Sequence, residues 1–227
     1  MKFGFFITGT DTNAGKTWLT IALMRRFRQL GYSVAGMKPV AAGCEWQDGA
    51  YKNADALLIQ ANCSHYIDYR LINPYAFQQP YSPHLACGET VVEMAALLAA
   101  YGELQHQAEI LIVEGAGGWF SPLSRELDNA TLAKTLQLPV LLAVGMRLGC
   151  INHSRLTQQA IHLCGLDSAG WAAMELEPDR ADLSANISYL HNALNAPFLG
   201  LLPFSPAADF DSLARCLLIE TVIGVKL

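Results

Sequence analysis

The chain has 227 residues, 52% of them apolar and 15% charged, with a formal net charge of −5. That is enough for one α/β domain over residues 1–227 that needs no staples, and an acidic balance without any Lys/Arg block excludes a nucleic-acid footprint. No apolar run reaches the roughly 20 residues of a membrane-spanning helix.

In chain order, "KFGFFIT" reads as a strand. It is not a leader peptide, because "TGTDTNAGKT" interrupts it almost at once. In "TWLTIALMRRFRQL", Leu19, Ala22, Leu23 and Phe27 fall on one helical face, and Gly31 ends that helix. "SVAGMK" is a second strand and "NADALL" opens a helix. "VVEMAALLAAYGEL" reads as a helix, "EILIVEG" as a buried strand and "LPVLLAVG" as another. The helix "NHSRLTQQAIHLCG", strand "SAGWAAM", helix "SANISYLHNAL" and strand "APFLGLLP" follow. Strands without apolar/polar alternation, separated by helices, predict a mostly parallel sheet covered on both faces. The tail "SLARCLLIETVIGVKL" has two basic residues, too few for a membrane-seeking helix, and suits core or interface packing. Cys44, Cys63, Cys87, Cys150, Cys164 and Cys216 lack disulfide or metal spacing, which suits reduced thiols in a cytoplasm. The six histidines show no metal-ligand spacing either.

Ligands of such sheets sit beyond the carboxyl ends of the strands, and three motifs fall there. "GTDTNAGKT" resembles a phosphate loop, although Gly9 and Gly15 are separated by five residues where the usual pattern has four. Backbone N–H groups around Asn13, Ala14 and Gly15, with the positive helix end, would cradle phosphate oxygens. Lys16 would neutralise the β- and γ-phosphates, and the Thr17 hydroxyl would ligate Mg2+. In "ILIVEGAGGWF", Glu114 ends a buried strand where a second metal-side group belongs, and Gly115, Ala116 and Gly117 let a ligand approach the backbone. In "GMKPVAAG", Pro39 keeps Lys38 extended, so its ammonium projects at the ligand edge, where it would suit an acceptor that gains negative charge. Asn53 or Asp55 could simply cap the helix they precede. The N-K-x-D signature of guanine recognition is absent.

Taken together, "TGTDTNAGKT", "AGMKPVAAG", "NADALL", "NPYAF", "SPH", "VEGAGGWFSPLS" and "LGCINH" resemble the dethiobiotin synthetases, P-loop enzymes of biotin synthesis whose phosphate loop has this five-residue gap. The resemblance implies that 7,8-diaminononanoate takes up CO2 as a carbamate. ATP phosphorylates the carbamate, and the second amine displaces phosphate to close a cyclic urea. It implies Lys16 and Lys38 as catalytic cations, and a Mg2+ site of Thr17, Asp55 and Glu114. Thr12, Gly117 and Gly118 should lie by the diamine or the phosphates. It also implies a homodimer in which Gly149, Cys150, Ile151 and Asn152 of the other subunit close over the substrate carboxylate. Three positions depart from the family pattern. Asn13 stands for a glutamate, Ala42 for a serine that touches the diamine, and Met174 for an asparagine that reads adenine. Methionine cannot make that two-point pattern, leaving the base to Glu175 and the backbone of Pro203, Phe204 and Ser205. Two alternatives stand beside this reading. A cobyrinate-type amidoligase needs an added glutaminase half, and a partitioning-type ATPase has lysine where Asp11 stands.

Overall fold

The computed structural model describes residues 3–219 and 222. Strand β1 (Phe3–Gly9) runs into a loop and then helix α1 (Lys16–Gln29), after which β2 (Val34–Met37) returns. A lateral region follows: β3 (Val40–Ala42), the hairpin of β4 (Glu45–Gln47) and β5 (Ala50–Lys52), α2 (Ala54–Asn62), α3 (Tyr69–Ile72), β6 (Tyr75–Phe77) and α4 (Pro83–Ala86). Helix α5 (Met94–Gln107) leads to β7 (Ile110–Gly118), then α6 (Asn129–Leu136), β8 (Val140–Gly145) and α7 (Cys150–Leu163). β9 (Ser168–Met174), α8 (Leu183–Ala193), β10 (Phe198–Leu202) and α9 (Phe210–Arg215) complete the order.

Six strands form one parallel sheet in the order β10-β9-β8-β1-β7-β2, flanked by helices. The fold is P-loop NTPase-like, and the expected α/β class holds. Its apolar strands are continuous because parallel strands bury both faces: every residue of β8 and the last five of β1 are buried. The larger core cluster packs α1, α2 and α5 on the sheet through residues such as Leu19, Leu23, Phe27, Ile59 and Leu104. The smaller one gathers Leu142, Val144 and Trp171 with Leu190 and Leu194 of α8. All the helical-face residues named in α1 are fully buried.

Several boundaries differ from the expected ones, three of them for a local backbone reason. α5 begins at Met94, because Glu93 takes the extended backbone of a helix-start residue. α7 begins at Cys150, because Gly149 turns the chain into it. β7 continues through its glycines to Gly118, which pairs with Gly9 of β1 after a register shift. In the tail, α9 stops at Arg215 while Leu213, Leu217 and Ile219 are buried. The rest of the tail reading lies on residues 220–227, of which only 222 is described. No helix among the described residues is long and apolar enough to cross a membrane, and all six cysteines are free thiols.

Candidate active site

The loop between β1 and α1 is shaped to leave donors free. Asn13 and Gly15 take positive φ values of 58° and 86°, a backbone that turns successive amides toward one point. Among the described residues, the N–H groups of Asn13, Ala14, Gly15, Lys16 and Thr17 have no hydrogen-bond partner, so five donors stand free in the loop and the first turn of α1. A side chain at Gly15 would be strained, and its Cβ would lie 2.9 Å from the Met174 terminal methyl. The Lys16 ammonium donates to the Asp11 carbonyl at 3.0 Å. The Asp11 carboxylate accepts from the Thr12 N–H at 2.7 Å and from Arg147 at 2.6 Å.

Strand register assembles the charged cluster. Met37 pairs with Val113, so the next residue on each strand, Lys38 and Glu114, comes side by side. The Lys38 ammonium donates to Glu114 Oε1 at 2.5 Å and to Asp55 Oδ2 at 3.2 Å. The Thr17 hydroxyl donates to the same Glu114 oxygen at 2.8 Å. Asn53, not Asp55, caps α2, accepting the Ala56 N–H at 3.3 Å, which leaves the Asp55 carboxylate to face Lys38. Glu114 is fully buried, and its Oε2 has no partner among the described residues. Burial, with Lys38 nearby, lowers Lys16 to about 8 against the opposing pull of Glu114, Asp55 and Asp11. Burial also pulls Lys38 down, but the Glu114 and Asp55 carboxylates outweigh it and hold Lys38 above the usual lysine value.

The residues fit a divalent cation. Thr17, Asp55 and Glu114 offer hard oxygens only, the donors Mg2+ takes, and the unpartnered Glu114 Oε2 is an oxygen such an ion would satisfy. Among the described residues no three His, Cys, Asp or Glu side chains cluster. An ion here would therefore draw further oxygens from nucleotide and water, as Mg2+ at phosphates does.

One cleft of about 780 Å³ joins these groups. Thr12, Asn13, Gly15, Lys16 and Thr17 line it, with Lys38, Ala42, Asp55 and Glu114. Ala116 and Gly117 line it as well, and Met174, Glu175, Pro203, Phe204 and Ser205 form one end. At that end Glu175 Oε2 accepts the Phe204 N–H at 3.0 Å. Ala14, Gly115 and Gly118 lie outside this lining: Ala14 is fully buried, and a Cβ at Gly115 would meet Asn129. Gly149, Cys150, Ile151 and Asn152 also lie outside it, at the start of α7. The Cys150 side chain is buried and its N–H already donates to the Arg147 carbonyl. That removes Cys150 as a free donor; its thiol belongs to the smaller core.

Sequence reasoning missed the residues that hold the cleft's shape. Buried Asn129 donates to the Ala116 and Gly118 carbonyls at 2.6 and 2.8 Å, and accepts the Ala116 N–H. Ser121 accepts the Gly118 N–H at 2.7 Å. Pro80, Tyr81, Ser82 and Pro83 supply a wall, of which only "SPH" stood out in the sequence. Asn129 has no local signal, because its contacts with β7 span 11 to 13 residues of chain.

Sheet order, free-amide loop and carboxyl-edge cleft together define a P-loop nucleotide-binding α/β protein. A family model described as an AAA domain matches residues 4–211. A crystal structure of the signal recognition particle receptor FtsY from Elizabethkingia anophelis superposes with a TM-score of 0.51 at 11% identity, covering 95% of this chain and 65% of that one. This likeness is one of fold alone. A protein of Xanthomonas axonopodis pv. citri named ATP-dependent dethiobiotin synthetase is 46% identical over 207 residues, 90% of this chain and 92% of its own. A namesake from Xanthomonas campestris pv. campestris is 45% identical over 218 residues, 95% and 97% of the two chains. The chain belongs to the dethiobiotin synthetase family.

Proposed function

We propose that the protein is an ATP-dependent cyclo-ligase that forms dethiobiotin from 7,8-diaminononanoate and CO2 in biotin synthesis, as one domain acting in a cytoplasmic homodimer. The observation that carries this reading is the convergence of Lys16, Lys38, Thr17, Asp55 and Glu114 on one cleft. A carbamate and a triphosphate are both anions, and bringing them together needs dense positive charge in a dry, preorganised site.

One substrate amine adds to CO2 and loses a proton, giving a carbamate. The loop amides of Asn13, Ala14, Gly15, Lys16 and Thr17 hold the phosphates, and Lys16 follows the charge as it builds on the transferred γ-phosphoryl group. Lys38 faces the carbamate oxygen that attacks phosphorus. Thr17, Asp55 and Glu114 would hold Mg2+, which supplies charge neutralisation at the phosphates. Transfer yields ADP and a carbamic-phosphoric anhydride. The second amine attacks the anhydride carbonyl, expels phosphate and closes the cyclic urea. Thr12 and Gly117 bind the diamine end, beside Ala42, while the Gly118 amide is taken by Ser121. The start of α7 in the other subunit, through the amides of Gly149, Ile151 and Asn152, takes the substrate carboxylate. Met174, Glu175, Pro203, Phe204 and Ser205 receive the base.

The reading is tested by mixing protein, diamine, bicarbonate and Mg-ATP and weighing the product. Dethiobiotin with equimolar ADP is expected; ATP hydrolysis without a new urea would overturn it.

A further inference from the structure

We infer that the Lys38 ammonium holds the place of the divalent cation between Asp55 and Glu114, and that the metal displaces it from both carboxylates. The inference rests on the reading of those carboxylates as metal ligands. It adds a competition between a side chain of this protein and the ion.

Three observations lead there. Lys38 contacts both carboxylates at once, at 2.5 and 3.2 Å, and Thr17 donates to the Glu114 oxygen that Lys38 also uses. All three proposed ligands are therefore already tied to one another. A single ammonium also leaves the pair of carboxylates one charge short, and the buried Glu114 Oε2 remains without any partner. A buried carboxylate tolerates that only while some cation stays close. Lys16, the other ammonium of the cleft, is bonded elsewhere, to the Asp11 carbonyl.

With Lys38 paired, an incoming carbamate meets a lysine whose charge is spent on Glu114 and Asp55. A dication bound by the same carboxylates replaces the ammonium there and frees it for an anion. The ion and the ammonium thus compete for the same two carboxylates, and Lys38 has its whole charge to offer an anion once the ion is bound. An ordinary structural ion pair would show no such competition.

The experiment titrates Mn2+ without nucleotide and counts the free ion by electron paramagnetic resonance. Lys38→Gln is expected to bind Mn2+ roughly tenfold or more tightly than wild type, since two carboxylates lose their built-in counter-ion. Lys16→Gln removes an equal charge that touches neither carboxylate, and should gain much less. Equal gains in the two variants, or none in Lys38→Gln, would overturn the inference. Should Lys38→Gln not fold, wild type reads the same event through acetic anhydride labelling of Lys38, followed by mass spectrometry. ADP with Mg2+ should speed labelling several-fold over ADP with a chelator, and an unchanged rate refutes displacement. If Mn2+ fails to bind wild type even with ADP, the metal reading falls and takes this inference with it. Binding with ADP but no Lys38 effect sinks the inference alone.

Discussion

Lys16 and Lys38 carry the same charge in opposite surroundings. Lys38 has two carboxylates and stays charged, whereas Lys16 is buried with a carbonyl as its hydrogen-bond partner and has a pKa near 8. Lys16 thus binds fewer protons folded than unfolded between pH 8 and its ordinary value, so its contribution to stability rises with pH over that window. Nucleotide phosphates reverse the depression by favouring the charged form. ADP binding is therefore expected to take up a fraction of a proton around pH 8.5 and to weaken up to about tenfold per pH unit above 8. Calorimetry in two buffers of different ionisation enthalpy measures that uptake; equal heats would contradict it. Lys38→Gln should retain Mg-ADP binding and lose product formation, and near-normal turnover would remove Lys38 from the chemistry. Met174 packs against Gly15 with no donor for a base edge, so product formed from ATP, CTP and GTP should differ by no more than roughly tenfold. A hydrogen-bonding pocket discriminates by several orders of magnitude, and a preference of that size for ATP would contradict this.

At the level of elements, the glycine-rich end of β7 keeps its form through α6. Gly117 sits at φ +71°, a turn that costs glycine little, and Asn129 at the start of α6 satisfies the carbonyls on either side of it. Asn129→Ala strands three part-buried backbone groups. The expected cost is about 3 kcal/mol, or roughly 6–12 °C in Tm for a protein of this size. Thermal unfolding measures it, and a shift of a degree or less would mean that water replaces the amide. Asn129 was not legible in the sequence because its role depends on where α6 lands against β7. The strands of the six-stranded sheet were legible, since β8 and β9 lie within the stretches their apolar runs predicted, whereas the three-residue strands β3, β4, β5 and β6 were not. Helix starts were less so: Gly149 opens α7 with a backbone turn that no capping side chain announces.

At the scale of the whole molecule, the proposed homodimer would use apolar surface that one protomer leaves in water. Leu148 is 92% exposed immediately before α7, beside the segment proposed to reach the partner's substrate. Leu148→Glu is expected to weaken self-association at least tenfold while ADP binding stays within about twofold, because a charge pressed into an apolar contact is not compensated. Sedimentation equilibrium compares the two proteins; an unchanged dimer would move the interface elsewhere. The cleft itself follows from sheet order. β1, β7 and β2 stand side by side, with β9 and β10 beyond β8, so the phosphate loop, the two lysines and the end proposed to receive the base all meet at one carboxyl edge.

The amino-acid order alone determined the layered α/β class, the phosphate loop and its lysine, and the residue types at the strand ends, because periodicity, glycine spacing and proline restriction act over a few neighbouring residues. Only the tertiary structure decided that Asn53 caps α2 while Asp55 turns to Lys38, that Lys38 lies against Glu114, and that Asn129 braces the glycine turn. Apart from the local Asn53 cap, those contacts join residues 11 to 76 apart in the chain, and strand register and helix docking, which no local pattern encodes, bring them together.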